Sequence, residues 1–304
     1  MINVLSVFDG MSCGRIALER QNIPITSYYA SEIDKYAITI AKKNYPDTQH
    51  IGDVTQVSAD DLPQIDLLIG GSPCQGFSFA GKQLNFDDSR SKLFFEFVRL
   101  LKELKPKYFL LENVRMKKEY QDVISDLLGV EPIKINSSLV SAQNRVRLYW
   151  TNIPNVTVPE DKGIVLADII DDGFVDRDKS HCIDANYFKG GNLKSYFEKH
   201  RRQLVFSNDG LCREPKILQI PHGYNKGGLK ENKSPSMTTS SWQHNNHLTY
   251  DDGLTYRKLT PIECERLQTV PDNYTEGVSN TQRYRMLGNG WTVDVISHIL
   301  KNIK

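Results

Sequence analysis

Cys74 sits in GGSPCQGFS, residues 70–78, where glycines and a rigid proline follow an apolar run. A cysteine on such a turn is presented to a ligand rather than packed away, although an isolated cysteine more often serves as a small hydrophobe. Its chemistry would be nucleophilic. The thiolate is the reactive form, and a free thiol with pKa about 8.5 needs a nearby cation or helix end to ionise at neutral pH. Glu112 begins Glu112-Asn113-Val114 at the end of another apolar run, where a partly buried carboxyl can share a proton with a ring nitrogen. Arg145 and Arg147 stand two apart in AQNRVRLYW, residues 142–150, at a strand start, so both side chains project to one face. Two guanidiniums there would bind an anion or polarise a carbonyl, and a solvated strand edge accounts for them equally well.

A second group of residues suits a nucleoside. Glu32 closes an apolar run and can accept hydrogen bonds from a ribose, and Asp53 in Gly-Asp-Val can accept one from an adenine amino group. Either acid alone is usually a solvated surface group; at successive strand ends the two describe a pocket. FDGMSCG, residues 8–14, is a tight glycine-bearing turn leading into a helix, where backbone can approach a ligand closely. It lacks the GxGxxG spacing of dinucleotide sites, and taken alone it fits a structural turn as well. A nucleoside without a phosphate-grasping loop points to S-adenosylmethionine.

These residues need a scaffold that gathers strand ends. Short apolar runs alternate with amphipathic stretches through the first half, the pattern of a parallel sheet flanked by helices. Strands are expected at Ile2 to Phe8, Tyr28 to Glu32, Asp66 to Gly70, Tyr108 to Glu112 and Val146 to Thr151. Helices are expected at Lys35 to Asn44, Ser91 to Leu104 and Tyr120 to Leu128, with Asp34 and Ser89 in capping positions. The fold class is α/β, a doubly wound and mostly parallel sheet, in which ligands bind beyond the carboxyl ends of the strands. From about Pro159 to Asp252 the periodicity fades into Gly, Asn, Ser, Lys and aromatic residues, a loop-rich stretch of the kind that carries specificity. Helical signals return at Pro261 to Gln268 and Thr292 to Ile303. Residues 1–158 plus 256–304 are therefore expected to form one catalytic domain, and 159–255 a smaller second one.

The bulk composition permits this. A chain of 304 residues, 39% hydrophobic, can bury a full core and hold a second, smaller domain. No apolar run approaches the roughly 20 residues that cross a bilayer, and MINVLSVFDG reads as a buried strand rather than a signal peptide, so a cytoplasmic location is expected. Cys13, Cys74, Cys182, Cys212 and Cys264 are odd in number and scattered, which indicates neither a disulfide framework nor a zinc site. His244-Asn-Asn-His247 has no nearby cysteine or acid to complete a tetrahedral set, so no metal is expected. Net charge is only +1, yet between Arg177 and Pro235 twelve Lys or Arg face six Asp or Glu, a local +6 that leaves −5 for the rest. That segment is a specialised basic face.

In this order the residues resemble the DNA cytosine-5 methyltransferase family, over most of the chain outside 160–255. FDGMSCG resembles its first cofactor motif, SPCQGFS the nucleophile motif, ENV the glutamate motif and QNRVR the arginine motif. RKLTPIECERLQTVPDNY and MLGNGWTVDV resemble the two C-terminal motifs. GGSPC, SKLFFEFVRLLKELKPKYFLLENV and the tryptophan of GNGWTVDV are further similar to the de novo subgroup of animals, although a stand-alone bacterial or phage-like catalytic chain fits better. Ser12 and Cys13 replace the small residues usual in the first motif, and Asp294 stands where a proline is common in the last.

The resemblance implies a Rossmann-like methyltransferase fold with a target-recognition domain, and a reaction. Cys74 adds to carbon 6 of cytosine, Glu112 hydrogen-bonds ring nitrogen 3, Arg145 supports the carbonyl oxygen and Arg147 orients its neighbours while carbon 5 takes the methyl of S-adenosylmethionine. Cofactor contacts fall by resemblance on Phe8, Asp9, Gly10, Glu32, Ile33, Asp53, Val54, Pro73, Leu93, Asn289 and Trp291; Trp291 fits a core aromatic equally well. The partner is double-stranded DNA, from which the target base must flip, under a lid at 75–92, with the basic 177–235 region on the phosphates. A cognate restriction endonuclease is a further expected partner, and the resemblance implies no particular oligomeric state. Three alternatives stay open. They are transfer RNA as substrate, as in one branch of the family; a small-molecule methyltransferase, which leaves Cys74, Glu112 and the arginines unexplained together; and a catalytically silent DNA-binding member.

Overall fold

A computed structural model describes residues 1–72, 92–207, 215–219, 228–230, 247–250 and 255–303. The expectations for Pro73, Cys74, Ser89 and the 75–91 part of the lid, and for His244, lie outside the described residues.

The chain builds β1 (Ile2–Val7), α1 (Cys13–Arg20), β2 (Ile25–Ser31), α2 (Lys35–Asn44), β3 (Gln49–His50) and β4 (Leu67–Gly71). It continues through α3 (Lys92–Leu104), β5 (Tyr108–Val114), α4 (Lys118–Leu128), β6 (Ile133–Asn136) and β7 (Val146–Thr151). These strands form one seven-stranded sheet in the order β3-β2-β1-β4-β5-β7-β6. All neighbours run parallel except β7, which is antiparallel to both β5 and β6. The order reverses between β1 and β4, since the chain first winds outward through β2 and β3 and then returns to start again on the other side. A crevice opens beyond the carboxyl ends of strands at such a reversal.

Both faces of the sheet are covered, which is why its central strands are continuous apolar runs rather than alternating ones. Successive residues of a strand point to opposite faces. Val4, Ile69 and Leu110 accordingly join one core, shared with Ile16 and Leu18 of α1. Their neighbours Leu5, Leu68 and Leu111 join the other, against Phe94 and Phe97 of α3. Helix α2 starts where the sequence placed it, because Asp34 caps it by accepting from Tyr36 N (2.9 Å) and Ala37 N (3.4 Å).

Beyond β7 come α5 (Leu193–Lys199), β8 (Leu204–Ser207), β9 (Pro215–Gln219), β10 (Gly228–Lys230), β11 (His247–Tyr250) and β12 (Thr255–Lys258). The region read as loop-rich therefore contains regular structure: β10-β9-β11 form one small sheet, and β12 pairs antiparallel with β8. Strand β12 also spans the boundary expected between 255 and 256. The chain then returns to the core around α1 through α6 (Pro261–Leu267), α7 (Asn280–Asn289) and α8 (Val293–Leu300). A capping box opens α6, with Thr260 Oγ1 accepting from Glu263 N (3.2 Å) and Glu263 Oε2 from Thr260 N (2.7 Å). Val293, Val295, Ile296 and Ile299 of α8 complete the core around α1. Among the described residues no helix is long and apolar enough to cross a membrane.

Candidate active site

A cavity of about 400 Å³ lies at the carboxyl ends of β1, β2, β4 and β5. It is lined by Phe8, Asp9, Gly10, Glu32, Ile33, Asp53, Val54, Leu93, Glu112, Arg145, Arg147, Asn289 and Trp291, every expected site residue that is described.

Its floor is the turn after β1. Phe8, Gly10 and Ser12 all adopt left-handed backbone, with φ of 58°, 60° and 64°. Glycine takes this conformation freely, whereas Phe8 holds it at a cost, the kind of strain that surrounding structure maintains at functional sites. Asp9 pins the turn: it accepts from Ser12 Oγ (2.5 Å) and from the Tyr28 hydroxyl (2.7 Å). Burial pushes the Asp9 carboxyl above its ordinary pKa, against the pull of the Ser12, Ser6 and Tyr28 hydroxyls. Burial also drives the neighbouring Cys13 thiol up to about 12, so this cysteine stays protonated and serves packing.

The wall comes from the next two strand ends. Glu32 Oε2 accepts from Gly10 N (2.8 Å), and its Oε1 accepts from Ile33 N (2.7 Å) and Asp34 N (2.8 Å), which ties the end of β2 to the turn after β1. Ile33, 74% exposed, leaves an apolar side chain bare at the rim. Asp53 Oδ1 accepts from Thr55 N (2.9 Å) and Thr55 Oγ1 (3.0 Å); among the described residues nothing donates to its Oδ2.

The opposite side gathers the ionisable groups. Gly71 at the end of β4 is in register with Glu112 on β5. Tyr149 of β7 lies opposite Glu112, so Arg147, two residues along, reaches it diagonally on the same face. Arg147 Nε sits 2.9 Å from Glu112 Oε1, and the Trp291 indole donates from Nε1 to Oε2 at 3.2 Å. Burial alone would lower the Arg147 pKa, but Glu112, Cys182 and Tyr149 together outweigh it and hold the guanidinium above its ordinary value. A Cβ on Gly71 would come within 2.7 Å of Trp291 Nε1 and 3.0 Å of Glu112 Oε2, so the glycine makes room for both. Asn113 Nδ2 donates to Ser72 Oγ (3.1 Å), which ties β5 to the residue two before Cys74.

The two arginines do not act as a pair. Only Arg147 faces the carboxylate, while the Arg145 guanidinium donates to the carbonyls of Ile183 (3.0 Å), Gly288 (3.1 Å) and Gly290 (2.9 Å). Strand β7 begins at Val146, so Arg145 lies just before it, and its partners are not those of Arg147. The sequence reading also missed Tyr28, Ser72, Asn113 and, from α7, Gln282, Arg285 and Met286. Asn113 was within reach, since it sits inside the ENV triplet already singled out.

Residues 2–128 and 137–304 match the family of C-5 cytosine-specific DNA methylases. The chain belongs to that family. This methylase is 30% identical to the type II methyltransferase M1.ScrFI of Lactococcus lactis subsp. cremoris, across 99% of its own length and 77% of the relative. It is 28% identical to M.HhaI of Haemophilus parahaemolyticus across 99% and 94%. Among solved structures, a Spodoptera frugiperda DNMT2 variant superposes with a TM-score of 0.67 over 99% of each chain, at 20% identity. A likeness that distant speaks for the shared fold and not for the substrate. The methylase is a DNA cytosine-5 methyltransferase, and membership in the family carries S-adenosylmethionine-dependent methyl transfer with it.

Proposed function

We propose that this methylase modifies cytosine within a specific DNA sequence, with Cys74 as covalent nucleophile, Glu112 as the group at ring nitrogen 3 and Arg147 as the cation that orients Glu112. The observation that carries the reading is the Glu112 carboxylate, held by Arg147 at 2.9 Å and Trp291 at 3.2 Å, in one cavity with the strand-end residues of a nucleoside site. Cys74 follows Gly71 by three residues, so the chain cannot carry its Cα more than about 11 Å from that of Gly71.

The cavity suits S-adenosylmethionine. Space is open over Gly10, where an added Cβ would meet nothing within 4 Å. Glu32 lies beside it as a ribose acceptor, Ile33 offers an apolar surface to a flat ring, and Asp53 Oδ2 is available to an amino group. When bound, S-adenosylmethionine supplies an electrophilic methyl group to carbon 5.

Carbon 5 of cytosine is a poor nucleophile until electron density enters the ring. The Cys74 thiolate forms a bond to carbon 6, and the pair of the 5,6 double bond shifts toward carbon 5. A proton shared between Glu112 and nitrogen 3 disperses the charge that develops, and Arg147 keeps the carboxyl in place. After methyl transfer, loss of the carbon 5 proton to a base and departure of the Cys74 sulfur restore the double bond. Stacked bases are out of reach of these groups, so the target flips out at a cost of a few kcal/mol. Residues 1–158 with 256–304 form the catalytic domain in this reading, and 159–255 recognises DNA through its basic segment. A cognate restriction endonuclease would cut the same sequence when it is unmodified.

Bisulfite sequencing of DNA from cells expressing the wild type and Cys74→Ala tests the proposal. The wild type is expected to protect cytosines in one short motif, and Cys74→Ala none, while calorimetry shows both binding S-adenosylhomocysteine. Methylation that persists in Cys74→Ala refutes the covalent route.

A further inference from the structure

Arg145 precedes β7 and is 4% exposed. Its guanidinium makes four hydrogen bonds, divided between two segments far apart in the chain. Nη1 donates to Ile183 O (3.0 Å) and to Cys182 Sγ (3.3 Å), and Nη2 donates to Gly288 O (3.1 Å) and Gly290 O (2.9 Å). The first segment lies within the basic 177–235 region, whereas the second carries Asn289 and Trp291 to the cavity. The segments also touch directly. A Cβ on Gly288 would lie 2.2 Å from the backbone carbon of Asp184, so only glycine fits where the two segments cross. Next to Arg145, Gln143 Oε1 accepts from Ile183 N (2.9 Å). None of the described residues that line the cavity comes from 182–184.

We infer that Arg145 is a positioning residue that couples the cofactor turn at 288–291 to the DNA-recognition segment at 182–184, an inference that rests on the cofactor and DNA assignments above. The planar guanidinium presents its donors in a fixed fork, so the carbonyls of both segments are held in one geometry. A ligand that orders the 288–291 turn thereby orders 182–184 in advance, and the second ligand to bind has less ordering left to do. Such coupling is reciprocal: DNA held by the recognition region favours the cofactor to the same degree. A lysine at 145 retains the charge but offers its donors from one point, so it cannot bridge Ile183 O and the Gly288 and Gly290 carbonyls with the same fork.

Hydrogen–deuterium exchange on the full chain, with and without S-adenosylhomocysteine, tests this in the wild type and in Arg145→Lys. In the wild type the ligand is expected to slow exchange at 289–291 and also, by about fivefold or more, at Ile183 and Asp184, which do not line the cavity. In Arg145→Lys protection is expected at 289–291 alone. Wild-type protection confined to 289–291 overturns the coupling whether or not the variant folds, and so does an unchanged pattern in a folded variant. Absence of any protection, with no calorimetric heat of binding, overturns the cofactor assignment and the coupling with it.

Discussion

Adjacent glycines at the end of β4 point to opposite faces, and alanine at each should break a different property. A Cβ at Gly71 would meet Trp291 Nε1 at 2.7 Å, Glu112 Oε2 at 3.0 Å and Trp291 Cε2 at 3.3 Å. To restore an ordinary 3.4 Å contact the indole must retreat by about 0.7 Å, taking its hydrogen bond off Glu112. Displacements near 1 Å at a reacting centre cost on the order of 100-fold, so Gly71→Ala should lower single-turnover methyl transfer by roughly 10- to 100-fold. A Cβ at Gly70 would instead meet Val7 Cγ2 at 2.7 Å, Phe97 at 3.1 Å and the Val7 carbonyl at 3.1 Å, all in the core beneath α3. Overpacking of this kind costs about 1–3 kcal/mol, or roughly 2–10 °C in melting temperature, with turnover per folded molecule near wild type. The assay is transfer of a tritiated methyl group to DNA at saturating substrate, paired with calorimetric melting. A Gly71→Ala enzyme that turns over normally would refute the placement of Glu112 and Trp291 in the chemistry, and a Gly70→Ala enzyme that loses only turnover would refute the division of faces.

Glu112→Gln should lower turnover by about 100-fold or more and leave DNA affinity unchanged, because the group acts in the transition state; equal losses of rate and binding would instead mark it as structural. His181 predicts an acid sensitivity. Burial, helped by the charges of Arg177 and His200, pushes it from 6.5 down to about 4, so between those values the unfolded chain binds a proton there that the folded chain refuses. Stability should therefore fall as pH drops through that window, and His181→Gln should flatten the fall by a few degrees in melting temperature. An identical acid loss in the variant would place its source elsewhere.

Five of the sheet's seven strands were legible because they stand out as apolar runs, and α2 because Asp34 marks its start; the edge strands β3 and β6, of two and four residues, were too short to stand out. Strand β7 ran over the same residues, Val146–Thr151, in sequence and structure. Helix α7 was not legible, for a physical reason. Its buried face includes Arg283, which pairs at 2.9 Å with the fully buried Glu265, so a charge stands where periodicity expects an apolar residue. The 159–255 region hid its small sheets in the same way, since strands of three to five residues are too short to establish an alternation.

The site shows where this kind of reading stops. Strand ends and a two-residue period placed Glu32, Asp53, Glu112 and both arginines around one cavity, because backbone geometry alone fixes which face a side chain leaves from. Backbone geometry does not fix what waits there. Arg147 meets a carboxylate on the neighbouring strand, a partner that sheet register dictates once β5 and β7 are paired. Arg145 meets carbonyls 38, 143 and 145 residues away, supplied by a loop and a helix end that share no period with it. Identical residues two positions apart thus meet different partners, one the Glu112 carboxylate and the other the carbonyls of two distant segments.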